Sequence, residues 1–299
     1  MNEITITNEI LAKYYDFLDV NTNSFTSYKS ALKCFFEWLK ENNITKPTRQ
    51  DIINYRSFLI GRNLKANTIK FKIQAIKNLF KYFEYLGIYK NITINIKTPK
   101  INAEYKHDIL SLDQCKRLIE NLKKDTSLKG LRNYAIITML LTTGARVHEI
   151  ANAKLNDIKI KNVQTVLYII SKGKTTKEDY LILTEETKEI LYNYIKQKPK
   201  ANEYLFNSIS NRKSEKLSIQ SINKIVKEEF KKIGLQSEML TCHSLRHTSA
   251  TLNLLNGATL EETKQFLRHS NINTTLIYTH LIEKEKANNE KRITNLIFN

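Results

Sequence analysis

Asp157-Ile158-Lys159-Ile160-Lys161 alternates apolar and charged side chains, the period-two pattern of a strand with one face buried. It interrupts a chain otherwise written in helical periods. Downstream, Thr165 to Ile170 is β-branched and apolar. Asp179 to Leu183 follows after the polar run Ser171-Lys172-Gly173-Lys174-Thr175-Thr176-Lys177. Three short strands joined this way predict a small antiparallel sheet with a loop at 171–177. Everything after Thr184 reads as helical again. The expected fold class is therefore mainly α with a small antiparallel β-sheet, an α+β arrangement.

Upstream of the sheet, Ser111 opens a helix from Asp113 to Lys123. Leu131 to Thr142 forms a strongly apolar second helix that stops at Gly144. Between Thr98 and Asp108 there is a proline and no apolar period, which reads as a linker. Residues 1 to 97 carry four amphipathic segments: Asn8 to Val20; one capped by Ser24 or Thr26; one preceded by Thr48; and one begun by Asn67 or Thr68 that ends near Gly87. The expected organisation is a helical bundle at 1–97, a linker at 98–108 and a second domain at 109–299.

The formal net charge is +18, more than solubility requires, and points to a polyanion such as a nucleic acid. Up to Lys97 the first segment holds 15 basic and 8 acidic residues. Its fourth helix carries Lys65, Lys70, Lys72, Lys77 and Lys81 against a single acid, Glu84. These lysines are the candidate DNA-facing residues, since point charges suffice for non-specific phosphate contact. Cys34, Cys115 and Cys242 are far apart and form no CxxC pair, which gives no support to a disulfide framework or zinc knuckle. With no run of 18 apolar residues and no signal peptide at the polar N-terminus, a cytoplasmic protein is expected. Arginine is scarce, ten against 38 lysines, so Arg146 and Arg246 invite a reason why lysine would not do. Planar, bidentate contact with phosphate oxygens is such a reason.

Those two arginines sit in a wider constellation. Thr143-Gly144-Ala145-Arg146-Val147-His148-Glu149 places Arg146 just past the apolar helix, with Glu149 three residues on to orient it. His243-Ser244-Leu245-Arg246-His247 sets His243 and Arg246 on one helical face, with His247 on the flank. Thr259-Leu260-Glu261-Glu262 is a capping box opening a helix that closes at Leu267-Arg268-His269, and Tyr278 lies nine residues after His269. Attack by a phenol on a phosphodiester needs fixed cations for the non-bridging oxygens, an acid for the leaving oxygen and help in deprotonating a group of pKa about 10. These residue types supply each part.

The set resembles the catalytic domain of the tyrosine recombinases, the phage integrase and Xer-like family, through TGxRxxE, HxxR, the LxH before the tyrosine and the tyrosine spacing. The resemblance covers most of the chain. It implies an N-terminal helical-bundle (SAM-like) core-binding domain and a catalytic domain closing as a C-shaped clamp on DNA. By that match Arg146 and Arg246 are the phosphate arginines, His243 a proton-transfer residue, His269 a donor to the scissile phosphate and Tyr278 the nucleophile. The family's catalytic lysine lies in a β-hairpin, and Lys172 fits best, with Lys174 and Lys177 as alternatives. The family usually reads LGH where this chain has Leu267-Arg268-His269, and arginine adopts glycine's positive φ less cheaply.

What the resemblance implies is cutting and rejoining of double-stranded DNA at short inverted-repeat sites through a 3′-phosphotyrosyl intermediate, with neither a metal nor another cofactor. It also implies four protomers joining two sites, and the apolar tail Lys291 to Asn299 is a candidate for linking them. The length leaves no room for an additional arm-binding domain, favouring a simple Xer-like enzyme over a mobile-element integrase or invertase. Resolution of chromosome dimers, integration and inversion all stay open. A type IB topoisomerase, using the same tyrosine chemistry without a partner site, is the rival of another class, and a binding-only protein is a second.

Overall fold

The computed structural model describes residues 8–18, 22–99, 108–171, 174–199, 203–209, 216–269, 271–272, 275–276 and 297. Contacts divide the chain into two compact units, Met1–Glu104 and Tyr105–Asn299.

The first unit contains helices α1 (Asn8–Phe17), α2 (Thr22–Glu41), α3 (Arg49–Gly61) and α4 (Ala66–Tyr85). Thr48 caps α3 in a reciprocal capping box with Asp51, as its position in the sequence suggests. Helix α2 begins at Thr22, before either expected cap. Helix α4 begins at Ala66, one or two residues early and with no side-chain cap at Lys65. Tyr14, Leu32, Phe35, Ile52, Tyr55, Leu59, Ile73, Ile76, Leu79 and Phe80 are fully buried in this bundle. Full burial of side chains of this size contributes about 1.5–3 kcal/mol each for Leu, Ile and Phe.

The second unit holds α5 (Leu112–Lys123), α6 (Leu128–Thr143), α7 (Val147–Asn152), β1 (Ile158–Lys161), β2 (Gln164–Ile169), β3 (Asp179–Ile182), α8 (Glu185–Gln197), α9 (Ile219–Lys232), α10 (Cys242–Leu255) and α11 (Leu260–Leu267). The sheet is antiparallel in the order β1-β2-β3, with Ile158 opposite Leu167 and Leu167 opposite Leu181. Asn162 and Val163 close the first hairpin at φ 46° and 67°. That turn wants Asn or Gly at both positions, so the β-branched valine is strained there. Helix α6 is the axis of the unit: Ile136, Ile137, Met139 and Leu140 are buried all round, packed by α5, α8, α9 and α10. One expectation needs correction. The chain after Thr184 is not helical throughout, since Tyr204 pairs with Lys154 and Asn207 with Lys216 in isolated antiparallel bridges. Pairing partners that distant leave no period in the local sequence.

Candidate active site

Helix α6 ends at Gly144 in the left-handed conformation, φ 57° and ψ 27°. A Cβ there would lie 2.9 Å from Phe266 Cε1 and 3.0 Å from Leu267 Cδ2. The C-terminal turns of α6 and α11 are thus in direct contact, and glycine suits both the turn and the approach. Two residues on, Arg146 stands at the N-terminal boundary of α7 with extended φ and ψ. Glu149 holds it twice: Oε2 accepts from the Arg146 backbone N–H at 2.8 Å, and Oε1 accepts from Nη1 at 3.1 Å. The Glu149 side chain is fully buried and that of Arg146 is 16 % exposed. A buried carboxylate needs such pairing to remain charged.

Arg246 arrives from α10, which Thr241 caps through the His243 N–H. The residue is 4 % exposed, and its guanidinium donates to the carbonyls of Gly144 and Leu267, one from each converging helix end. His243 lies one turn earlier on the exposed face, and His247 is half-buried with its ring 6.5 Å from that of His243.

After α11 the chain turns at Arg268, φ 54° and ψ 44°. The Arg268 N–H donates to Gln265 O and the His269 N–H to Lys264 O, closing the helix as a glycine would. The positive φ is kept in spite of the substitution. His269 is oriented by a 2.9 Å hydrogen bond between Nδ1 and the hydroxyl of fully buried Thr275. Burial, then the charges of Arg246, Arg146 and Arg268, push its pKa down to about 4. Three cationic groups and a neutral imidazole therefore converge where α6, α10 and α11 meet. Such an arrangement can bind and polarise a phosphodiester.

The profile described as "Phage integrase family" matches residues 108–285, and that described as "Phage integrase, N-terminal SAM-like domain" matches residues 11–85. Tyrosine recombinase XerD of Rickettsia bellii is 33 % identical over 284 residues, covering 88 % of this chain and 89 % of that protein. Tyrosine recombinase XerA of Pyrococcus furiosus is 27 % identical over 284 residues, covering 95 % and 93 %. Among solved structures, that of a XerA recombinase aligns over 98 % of this chain and 99 % of its own, at 28 % identity and a TM-score of 0.51. The XerH recombinase in a post-cleavage complex with a palindromic difH substrate aligns over 94 % and 84 %, at 22 % identity and a TM-score of 0.73. The chain belongs to the tyrosine recombinase family. It is a Xer-like site-specific recombinase, a DNA strand-transferring enzyme.

Two residues expected in the recombinase site, Lys172 and Tyr278, lie outside the described residues, as does all of the tail 291–299 except Ile297. The alternative lysines are described. Lys174 Nζ sits 3.2 Å from Asp179 Oδ1 and 3.3 Å from Glu178 Oε2, and Lys177 pairs with Asp157. Hydrogen bonds donated to Asp179 and Glu178 raise the pKa of Lys174. In the first unit, Lys70, Lys77 and Lys81 follow i, i+7, i+11 spacing and share one face of α4, whereas Lys65 and Lys72 are out of phase with them. Lys77 is half-buried and donates to Ile96 O at 2.7 Å, bracing the segment after α4. Sequence reasoning missed the Thr275 partner of His269 and the two carbonyls that anchor Arg246. The Thr275 hydroxyl, six residues from the imidazole, was the one local signal.

The His269 shift makes a test. In the DNA-free protein its imidazole stays neutral from pH 8 down to about 5, so its ring protons show no titration near the ordinary histidine value of about 6.5. Because the folded value is depressed, the unfolded chain takes up this proton first. His269 therefore costs stability as pH falls from about 6.5 towards about 4, and none is lost above. NMR titration, with His269→Asn for assignment, measures it; a midpoint near 6.5 contradicts the geometry.

Proposed function

We propose that Arg146 and Arg246 clamp the scissile phosphate of double-stranded DNA while Tyr278 attacks it. The observation that carries this reading is the convergence of both guanidiniums and His269 on the junction of α6 and α11, fixed by Glu149 and by the Gly144 and Leu267 carbonyls. The Tyr278 oxygen forms a bond to phosphorus as the bond to the 5′ oxygen breaks. The phenolic proton passes to His243, and Lys172 supplies a proton to the leaving oxygen. His269, neutral, donates a hydrogen bond to a non-bridging oxygen. A 5′ hydroxyl from the partner duplex then attacks the phosphotyrosyl link, reversing each transfer and resealing the strand.

Lys172 is preferred over Lys174 and Lys177 on physical grounds. Both alternatives are held by carboxylates, and a raised pKa makes Lys174 a poorer acid. Lys70, Lys77 and Lys81 form the DNA-facing stripe of the first unit, with Lys65 and Lys72 as peripheral contacts. We assign short inverted-repeat sites as targets and a homotetramer on two sites as the working assembly, with the 291–299 tail linking neighbours and the cytoplasm as the place of action. Among the described residues no helix is long and apolar enough to cross a membrane.

Incubation with a nicked suicide substrate carrying the core site traps the covalent adduct, and peptide mapping locates it. The expected attachment is Tyr278 on a 3′ phosphate. Attachment at another residue, or on a 5′ phosphate, overturns the mechanism.

A further inference from the structure

Arg268 stands where the family pattern has glycine, and its side chain is built into the fold. It is 12 % exposed. Nη1 donates to Phe266 O at 2.8 Å and to Thr143 O at 3.5 Å; Nη2 donates to Gly144 O at 3.2 Å and to Glu149 Oε2 at 3.4 Å. Three of these acceptors are carbonyls at the C-terminal ends of α6 and α11, where intrahelical partners run out and partial negative charge collects. The fourth is the carboxylate that holds Arg146. A second carboxylate, Asp179 at the start of β3, also acts on the Arg268 charge, and both residues line a cavity of about 390 Å³ with Thr143 and Phe266.

The backbone at Arg268 is left-handed, which costs a non-glycine residue roughly 1–2 kcal/mol. Charge-assisted hydrogen bonds to four acceptors offset that cost. Glycine in this place would form the same turn without strain, so the arginine is not there for the turn. What it adds is a tie between the two helix ends that carry the site: α6, which leads into Arg146, and α11, which leads into His269. The same Glu149 oxygen, Oε2, accepts from the Arg146 backbone N–H and from Arg268.

We propose that Arg268 is a positioning residue for strand cleavage: through Glu149 and the Thr143, Gly144 and Phe266 carbonyls, it fixes Arg146 relative to His269. It acts on the phosphate through these neighbours and is not itself a catalytic residue. The proposal rests on the assignment of Arg146 and His269 to the phosphate.

The informative variant is Arg268→Gly, which removes the guanidinium and relieves the backbone. Arg268→Lys keeps the charge but offers one ammonium in place of a fork spanning four acceptors. Thermal melting, core-site binding by gel shift and single-turnover cleavage of the suicide substrate are measured for both, and for Glu149→Gln and the double variant Arg268→Gly/Glu149→Gln. Arg268→Gly is expected to bind DNA within about threefold of wild type and to cleave at least tenfold more slowly. Arg268→Lys recovers only part of that rate. The double variant cleaves no more than about threefold slower than Glu149→Gln alone, because both changes cut one chain of contacts. Cleavage by Arg268→Gly at the wild-type rate overturns the proposal, as do losses that multiply in the double variant. A trapped adduct away from Tyr278 in the wild type would instead sink the catalytic assignment.

Discussion

Arg246→Lys lowers the single-turnover rate of covalent adduct formation by at least 10²–10³-fold, the scale seen when one preorganised donor to a developing oxyanion is removed. The expectation follows from what the guanidinium already does without DNA. It spans the Gly144 and Leu267 carbonyls from a position 4 % exposed. A lysine at 246 brings a single ammonium, which cannot hold both carbonyls and also present a planar pair of donors to a phosphate. One carbonyl is left without its partner inside the protein, at a cost of about 1–3 kcal/mol. For a unit of this size that corresponds to a fall of roughly 2–12 °C in the melting temperature. Calorimetry and adduct formation on the suicide substrate measure the two effects separately. A lysine variant that cleaves within a few-fold of wild type removes Arg246 from the phosphate.

The same residue shows where sequence reading stops. That Arg246 and His243 share a helix was legible, because i and i+3 lie on one face and the Thr241-to-Ser244 cap is local. The capping box at Thr259, the helix starts at Thr48 and Ser111 and the stop of α6 at Gly144 were legible for the same reason. Each is written within four residues of chain. The three strands were legible from β-branched and apolar composition between polar turns, but the alternation read in the first does not bury a face, since Ile160 is 81 % exposed. The anchors of Arg246 are backbone carbonyls 102 and 21 residues away, and any residue can supply a carbonyl, so no residue type announces them. The cost of a positive φ at Arg268 was legible, whereas the four acceptors that offset it belong to three separate elements and their ends. Lys77 makes the same point in the first unit. Its place in a lysine-rich helix reads as a DNA-facing charge, and only the fold brings Ile96 O to it.

Gly144→Ala is expected to damage both stability and cleavage, from one added methyl group. The backbone at 144 has φ 57°, so alanine there costs about 1–2 kcal/mol in the left-handed region. Its Cβ would meet Phe266 Cε1 at 2.9 Å, closer than carbon atoms tolerate, and Leu267 Cδ2 at 3.0 Å, tighter than ordinary contact. Relief of that overlap by shifting packed side chains costs about a further 1–3 kcal/mol. The sum of roughly 2–5 kcal/mol corresponds to a melting temperature lower by about 4–20 °C. The functional loss arises from the direction of the relief. Phe266 and Leu267 are the last turn of α11, so pushing them away from α6 carries Arg268 and His269 away from Arg146 and pulls the Leu267 carbonyl from Arg246. A displacement near 1 Å between reacting groups costs on the order of 100-fold in rate. Adding Phe266→Leu removes the nearer of the two contacts but leaves the φ strain. The paired variant therefore regains cleavage ahead of full stability if the contact between α6 and α11 is what aligns the site. Equal recovery of neither, with the single variant melting as wild type, would show that the helix ends do not set the geometry of the arginines.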